Sequence, residues 1–183
     1  MSNLDSTTPT ALVTGGSRGI GRAVALTLAR DGYQVILTYV SRPEEADKTV
    51  AEIEAAGGRA LALPLNVGDG EAVAAFFAEH IKGKVNLAVL VNNAGIGSYA
   101  TWEELSDAEL RREVELDFLA PVALTKELLG CVAAARGAVI NISSAAAYIP
   151  VACMGAYNAV KAALRMFSVT LQMEVAGRGV HVL

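Results

Sequence analysis

The stretch TGGSRGIGRAVA, which runs from Thr14 to Ala25, decides how the rest of this 183-residue chain is interpreted. Its glycines Gly15, Gly19 and Gly21 follow a short apolar run and immediately precede an amphipathic helical pattern. Glycine permits a tight turn and lets the backbone approach a diphosphate, whose charge suits the N–H groups at the start of a helix. The stretch therefore predicts a strand–turn–helix unit that binds a dinucleotide, and a merely structural turn is the alternative.

Short apolar runs alternate with longer helical patterns along the remaining chain. The predicted strands cover residues 11–15, 34–40, 59–65, 87–92, 138–143 and 179–183. The predicted helices cover residues 19–31, 43–56, 70–82, 103–134 and 155–177. The strands are apolar on both faces, as strands buried beneath helices on either side should be. We therefore predict the α/β class, with a single Rossmann-type, doubly wound parallel sheet and helices on both faces.

Local signals refine this organisation. Ser106 and Glu109 have the spacing of a capping box at the start of a helix. Pro121 lies inside the long fourth helical pattern and predicts a kink or a division into two helices. The polar residues 1–9 predict a flexible N-terminal tail, so that residues 10–183 form one dinucleotide-binding domain.

Composition argues against several classes of function. The formal net charge is −4 and the pI is about 5.2, and without a basic run nucleic acid is a poor partner. No apolar run approaches the roughly 18 residues of a membrane span. Cys131 and Cys153 lack metal-ligand spacing and indicate free thiols in a reducing compartment. We therefore expect a cytoplasmic protein without a bound metal or a membrane partner.

The end of the second predicted strand favours one dinucleotide over another. Proteins that prefer NAD usually place a carboxylate there, whereas residues 38–42 read TYVSR. Arg18 in the glycine loop and Arg42 can instead bind a 2′-phosphate through charge-assisted hydrogen bonds. NADP(H) is therefore favoured over NAD(H), with a merely solvated Arg42 as the alternative.

Four motifs, in this order, carry a family resemblance: TGGSRGIG (14–21), LVNNAG (90–95), INISSAAAY (140–148) and Tyr157-x-x-x-Lys161. With them, the chain from about Thr10 resembles the short-chain dehydrogenase/reductase family. Within that family it looks most like the 3-oxoacyl-[acyl-carrier-protein] reductase branch. The resemblance implies an NADP-dependent oxidoreductase that moves a hydride between nicotinamide and a carbonyl or alcohol substrate.

The resemblance also implies roles for individual residues. By position, Ser144, Tyr157 and Lys161 match the catalytic residues of the family, and Asp117 stands where the family usually has asparagine. We expect Asp117 to pair with Lys161 or join a proton relay, and to reduce or alter activity. Asn66 similarly stands where aspartate is usual. The expected cofactor-binding residues are Gly15, Ser17, Arg18, Gly19, Ile20, Gly21, Arg42, Asn66, Val67, Asn93, Ala94, Gly95, Tyr157 and Lys161.

The spacing of Tyr157 and Lys161 has a chemical reason. Side chains four residues apart on a helix emerge on one face, so the lysine ammonium can lie beside the phenol. A phenol titrates near 10 and is a reluctant acid or base at neutrality, whereas a neighbouring positive charge favours the phenolate. We therefore interpret Tyr157 as the proton donor and Lys161 as the cation that tunes it, with Ser144 donating to the substrate oxygen.

Several alternatives stay open. The substrate can be a 3-oxoacyl thioester, with or without an acyl carrier, or a small alcohol, sugar or steroid. A non-catalytic nucleotide-binding or oligomerisation module is the alternative outside enzymes. The family pattern continues with a substrate-covering segment and a seventh strand, which the sequence to Leu183 does not contain. The resemblance implies a homodimer through residues 103–134 and 155–177, and a homotetramer if the chain continues.

Overall fold

The computed structural model describes residues 4–183, and a six-stranded parallel sheet with the order β3-β2-β1-β4-β5-β6 lies at its centre. The strand order reverses direction at β1, so that the chain winds outward first to one side and then to the other. This is the doubly wound Rossmann-type topology that the sequence predicts. The strands are β1 Pro9–Val13, β2 Gln34–Tyr39, β3 Ala60–Pro64, β4 Asn86–Asn92, β5 Ala138–Asn141 and β6 His181–Val182.

Six α-helices cover the sheet, and two of them continue into a wider π-helical turn. The helices are α1 Gly19–Arg30, α2 Pro43–Ala55, α3 Gly70–Phe76, α4 Asp107–Val114, α5 Ala120–Ala134 and α6 Gly155–Val175. The π-helical turns are Phe77–Ile81 and Glu115–Leu119, and single 3-10 turns occupy Ala145–Ala147 and Ala176–Arg178. Within residues 4–183, none of the helices is both long and apolar enough to cross a bilayer.

The sheet separates two hydrophobic cores. Ala11 and Val13 of β1 pack with α1 and α2, whereas Leu12 between them packs with α3, α5 and α6 on the opposite face. All three side chains are fully buried. Because successive side chains of a strand point to opposite faces, a strand between two helical layers must be apolar throughout. This explains why the strands of this chain lack the polar alternation of half-exposed strands.

An irregularity in the pairing of β1 with β4 interrupts that alternation. Thr10 pairs with Leu87, but the next residue, Ala11, pairs with Val89, so Ala88 is an extra residue in β4. Ala88 and Val89 both pack in the core beneath α1 and α2. A Cβ at Gly137, at the start of β5, would collide with the Ala88 carbonyl group. The bulge therefore requires glycine at that position.

The long fourth helical pattern, predicted over 103–134, forms a shorter and interrupted structure. Helix α4 begins at Asp107, because Ser106 and Glu109 form the predicted capping box with reciprocal hydrogen bonds. The sequence predicts a kink or division at Pro121, and the structure has a π-helical turn, Glu115–Leu119, just before that residue. Pro121 is the second residue of α5. The regular i→i−4 bonding is relaxed at that π-helical turn, which accommodates a residue without an N–H.

Of the predicted flexible tail 1–9, the structure describes residues 4–9, while residues 1–3 lie outside the described residues. Strand β1 already begins at Pro9, and Asp5 is fixed by three long-range contacts. Its N–H donates to Gln34 Oε1 at 2.8 Å, its carbonyl accepts from Gln34 Nε2 at 2.8 Å, and its carboxylate lies 2.7 Å from Arg59. No local sequence pattern reveals such contacts, since the partners are distant along the chain.

Candidate active site

The glycine-rich turn between β1 and α1 is packed so tightly that side chains are excluded. A Cβ at Gly21 would collide with the Gly15 carbonyl and the side-chain amide of Asn93. Gly15 and Gly19 have φ values of +64° and +55°, in the left-handed region that glycine adopts without strain. Helix α1 starts directly after Arg18, whose side chain makes no capping hydrogen bond. The first N–H groups of α1 therefore remain free for an anionic group.

A cavity of about 640 Å³ opens at this turn, at the carboxyl ends of β1, β2, β3 and β4. Its wall contains twelve of the fourteen residues expected to bind the cofactor; Tyr157 and Lys161 lie outside it. The twelve are Gly15, Ser17, Arg18, Gly19, Ile20, Gly21, Arg42, Asn66, Val67, Asn93, Ala94 and Gly95. Other segments that the sequence analysis left out complete the wall, including Ile96 and, from the α4 side, Arg112, Glu115 and Leu116.

The charges of the wall suit a polyanion. Three arginines, Arg18, Arg42 and Arg112, line the cavity, and Glu115 is the one carboxylate among the described lining residues. Arg42 has a left-handed backbone with φ of 61° and directly precedes α2. A non-glycine residue in that conformation is uncommon and carries some strain.

The residues present fit a dinucleotide. The cavity volume lies within the range of small-molecule sites, and the start of α1 offers free N–H donors. Because Gly21 has no side chain, a ligand can approach its backbone closely. A dinucleotide would be held at the glycine turn, at Arg18 and Arg42 beyond β2, and at Asn66 and Val67 after β3. Its nicotinamide end would have to reach Tyr157, which lies beyond the cavity wall.

The loop after β4 connects the cavity with Tyr157. Its start is anchored to β1, because the N–H groups of Asn93 and Ala94 both donate to Thr14 Oγ1 at 3.0 Å. The Asn93 amide also donates to the carbonyls of Thr14 and Gly15. Three residues past Ala94, Gly97 lies against the Tyr157 ring, where a Cβ would approach Tyr157 Cδ2 to 3.2 Å.

Tyr157, Lys161 and Asp117 lie close together in the structure. Lys161 Nζ lies 5.5 Å from the centre of the Tyr157 ring and 3.0 Å from Asp117 Oδ1. The Lys161–Asp117 contact is an ion pair without hydrogen-bond geometry, whereas Nζ donates to the Ile142 carbonyl at 3.1 Å. The side chains of Lys161 and Asp117 are only 8% and 1% exposed. The pair is therefore shielded from solvent, which strengthens the attraction between its charges.

Asp117 also holds the loop after β4. Its second oxygen, Oδ2, accepts a hydrogen bond from the Ile96 N–H at 2.8 Å. A Cβ at Gly95 would collide with Asp117 Oδ1. The carboxylate thus fills the space that the missing side chain of Gly95 leaves, and it links this loop to Lys161.

Ser144 follows β5 and directly precedes the 3-10 turn Ala145–Ala147. Its Oγ accepts a hydrogen bond from the Ala146 N–H at 3.1 Å and caps the 3-10 turn Ala145–Ala147. Its neighbour Ser143, which we assign to structure, donates to the Lys161 carbonyl at 3.5 Å. Asn158 fastens the segment after Ser144 to α6, since its amide donates to the carbonyls of Ala146 and Ile149 at 2.7 and 3.0 Å.

A chain of buried polar side chains supports both loops from below. The Asn92 amide, at the end of β4, donates to Thr125 Oγ1 at 3.1 Å and to Asn141 Oδ1 at 2.8 Å. Asn141 in turn donates to Ser168 Oγ of α6 at 2.8 Å. These bonds connect β4, β5, α5 and α6 through side chains, while the buried Asn92 Oδ1 accepts no hydrogen bond within residues 4–183.

Sequence reasoning missed two residues that organise this site, Asn158 and Glu113. Asn158 follows Tyr157 directly, and only the path of the 145–151 segment reveals what it binds. Glu113 of α4 is fully buried and accepts hydrogen bonds from Ser98. Its position four residues before Asp117 places the two acids on one helical face, which was an available signal.

Comparisons with known proteins agree with this fold. The family model described as short chain dehydrogenase matches residues 9–183. A 3-oxoacyl-[acyl-carrier-protein] reductase of Synechocystis is 36% identical over 180 residues, which cover 96% of this chain and 72% of that protein. The chain belongs to the short-chain dehydrogenase/reductase family of oxidoreductases.

Solved structures give the same picture. A metagenomic short-chain oxidoreductase in complex with NADP superposes with a TM-score of 0.89 at 34% identity, covering 96% of this chain and 79% of that one. A putative NAD(P)-dependent gluconate 5-dehydrogenase from Beutenbergia cavernae has a TM-score of 0.87 at 31% identity, covering all of this chain and 72% of that one. Both neighbours share the fold of this chain, and of the two descriptions only the second names a substrate.

Proposed function

We propose that this chain is an NADP(H)-dependent carbonyl reductase or alcohol dehydrogenase in which Tyr157 is the acid/base. One observation carries the proposal: Tyr157 and the buried Lys161 lie together on α6, and the loop after β4 connects them with the dinucleotide cavity. The start of this loop lines the cavity, and its Gly97 lies against the Tyr157 ring. A lysine that merely decorated a helix surface would be exposed, whereas Lys161 is 6% exposed. A buried ammonium beside a phenol is the arrangement that acid/base chemistry on oxygen requires.

Each side chain has a role in the proposed reaction. The nicotinamide, when bound, supplies or accepts the hydride at the substrate carbon. The Tyr157 hydroxyl donates a proton to the carbonyl oxygen during reduction and takes it back during oxidation. The Lys161 ammonium favours the phenolate that remains, and the Ser144 hydroxyl donates a hydrogen bond to the substrate oxygen. Asp117 reduces the effect of Lys161, because its carboxylate offsets the lysine charge.

The preference for NADP(H) rests on charge. Arg18, in the glycine turn after β1, and Arg42, after β2, both line the cavity, and residues 38–42 contain no carboxylate that could accept a bond from a ribose 2′-hydroxyl. A 2′-phosphate would find two guanidinium groups there, and charge-assisted bonds to phosphate are the stronger kind.

For the substrate, we propose a 3-oxoacyl thioester, supported by the similarity to a 3-oxoacyl-[acyl-carrier-protein] reductase. Exposed apolar side chains in the segments that precede α4 and α6 suit an acyl chain: Tyr99, Trp102, Tyr148, Ile149 and Val151. The gluconate dehydrogenase among the structural neighbours favours a polyol as the second candidate.

For assembly, we propose a cytoplasmic homodimer formed through α4, α5 and α6, or a homotetramer if the chain continues. Exposed apolar side chains on α6 support this contact, namely Met166, Val169 and Met173, which are 54%, 47% and 76% exposed. Light scattering checks the proposal, and a monomer at micromolar concentration contradicts it.

The test of the reaction combines binding with turnover. We expect NADPH to bind saturably in a fluorescence titration, more tightly than NADH, and the chain to oxidise NADPH with acetoacetyl-coenzyme A. Tyr157→Phe should lose at least a hundredfold in turnover while NADPH binding persists, because a positioned general acid contributes about 10²–10⁴-fold. Tyr33→Phe, at a half-buried tyrosine packed beneath α1, is the control. NADPH binding without turnover of any carbonyl or alcohol would favour a nucleotide-binding module.

A further inference from the structure

Glu113 is a buried acidic residue for which the proposed reaction has no use. It lies in α4 and is 0% exposed. Among residues 4–183, no lysine, arginine or histidine nitrogen lies within 4.0 Å of its carboxylate. Burying an unpaired carboxylate is costly, and leucine would fill a similar volume without that cost. A packing role alone therefore does not explain glutamate at this position.

Both carboxylate oxygens of Glu113 bind one residue of the loop after β4. The Ser98 hydroxyl donates to Oε2 at 2.5 Å, and the Ser98 N–H donates to Oε1 at 3.3 Å. Ser98 is thus fixed through its backbone and its side chain at once. Because Glu113 is fully buried, the loss of either bond would leave a buried polar group without a partner, which is costly.

Asp117, one helical turn after Glu113, fixes the same loop two residues earlier. It accepts from the Ile96 N–H, so two carboxylates on one helical face hold Ile96 and Ser98. Gly97, between these two anchors, lies against the Tyr157 ring. The loop cannot move away from the ring without breaking bonds to one acid or the other.

We propose that Glu113 is a positioning residue, which holds Gly97 against Tyr157 by fixing Ser98 and thereby orders the acid/base for reaction. Its catalytic consequence rests on the proposed function, whereas its effect on the loop does not. The cofactor side of the loop is anchored separately, through the bonds of Asn93 and Ala94 to Thr14. Loss of Glu113 should therefore affect turnover much more than NADPH binding.

The first experiment measures hydrogen–deuterium exchange in the whole chain without cofactor. In Glu113→Leu and in Ser98→Ala, amides 96–98 should exchange at least fivefold faster than in the parent chain. Glu113→Gln, which keeps an acceptor for Ser98, should stay within about twofold. Glu54→Leu, at an exposed position of α2, is the matched control and should leave this loop unchanged. Unchanged exchange in both Ser98→Ala and Glu113→Leu would overturn the proposal.

The second experiment measures steady-state reduction of acetoacetyl-coenzyme A. Glu113→Leu and Ser98→Ala should each lower kcat about tenfold or more, since small misplacements of reacting groups are expensive, and should leave KM for NADPH within about threefold. The double variant should be no worse than the poorer single variant, because both changes remove one interaction. Glu113→Gln should restore most of kcat.

The positioning role would be refuted if the kcat losses of the two single variants multiplied in the double variant, or if kcat did not change in either single variant. If Glu113→Leu does not fold, Ser98→Ala and Glu113→Gln carry the test. If the parent chain itself has no turnover, the proposed function fails, and the exchange measurement alone decides whether Glu113 orders the loop.

Discussion

Replacing Asp117 with asparagine tests the buried ion pair at the site and should destabilise the fold. The amide has the shape of the carboxylate and can still accept from the Ile96 N–H. It leaves the Lys161 ammonium, 8% exposed, with the Ile142 carbonyl as its remaining partner within the described residues. Removing one member of a buried pair costs about 3–5 kcal/mol. Because Ile142 continues to accept from Lys161, we expect about 3 kcal/mol, at the lower end.

The same substitution should raise turnover. Lys161 Nζ lies 5.5 Å from the centre of the Tyr157 ring and 3.0 Å from Asp117 Oδ1, so that oxygen lies no more than about 8.5 Å from the ring. At that distance and an effective dielectric constant of about 20, a carboxylate and a phenolate repel by about 2 kcal/mol. Relief of this repulsion in the transition state corresponds to an increase in kcat of up to about thirtyfold.

Urea unfolding and steady-state kinetics on the same preparations check both effects. Asp47→Asn, at an exposed position of α2, is the control and should change neither quantity appreciably. A free energy of unfolding within about 0.5 kcal/mol of the parent value would refute the buried pair as described, since that is the scatter of ordinary surface substitutions. Turnover that is unchanged or lower would refute the view that Asp117 weakens Lys161.

Three further predictions concern the parts around the pair. Arg42→Asn keeps a residue that tolerates the left-handed backbone, and it should weaken NADPH binding about 10–100-fold with little effect on NADH; equal losses for both would contradict a 2′-phosphate contact. Asn158→Ala releases two carbonyls of the segment after Ser144 and should lower kcat about tenfold, in steady-state assays, without changing NADPH affinity. A hydrogen bond from the Ser106 hydroxyl, and to a smaller extent one from the Ser106 N–H, hold the pKa of Glu109 below its ordinary value of 4.5. The ionised Glu109 therefore stabilises α4 above pH 4.5, and this stabilisation is lost as the pH falls through the lowered pKa. Urea unfolding at pH 6 and pH 3 should therefore show a smaller acid loss in Glu109→Gln than in the parent chain.

The parts of the fold that were predictable depend on neighbours in sequence. The glycine turn, the capping box at Ser106 and the apolar strands all express preferences of a few adjacent residues, and the structure confirms them. The doubly wound order follows from strand–helix alternation, because parallel strands require crossover connections. The approach of Asp117 to Lys161 was also foreseen, although only through the family resemblance.

The unpredicted parts depend on contacts between distant segments. Asp5 is held by Gln34 and Arg59, and Glu113 is held by Ser98 across a long loop. No period or spacing encodes these bonds, since each partner alone is an ordinary polar residue in a loop or helix. The start of α4 at Asp107 shows the limit of helical periodicity, because the residues before it form turns around Thr101 rather than a helix.

Because Gly95 fits closely against Asp117, substitutions at these two positions should occur in a fixed order during evolution. A side chain at 95 would push the Asp117 carboxylate away from Lys161, so Gly95→Ala should be deleterious while aspartate is present. Once residue 117 has become smaller than aspartate, the same alanine loses its three nearest contacts and should cost much less. The two sites are therefore epistatic, and descendants of this sequence can vary freely at 95 only after the side chain at 117 has become smaller; a change to asparagine, which keeps the shape of aspartate, does not suffice.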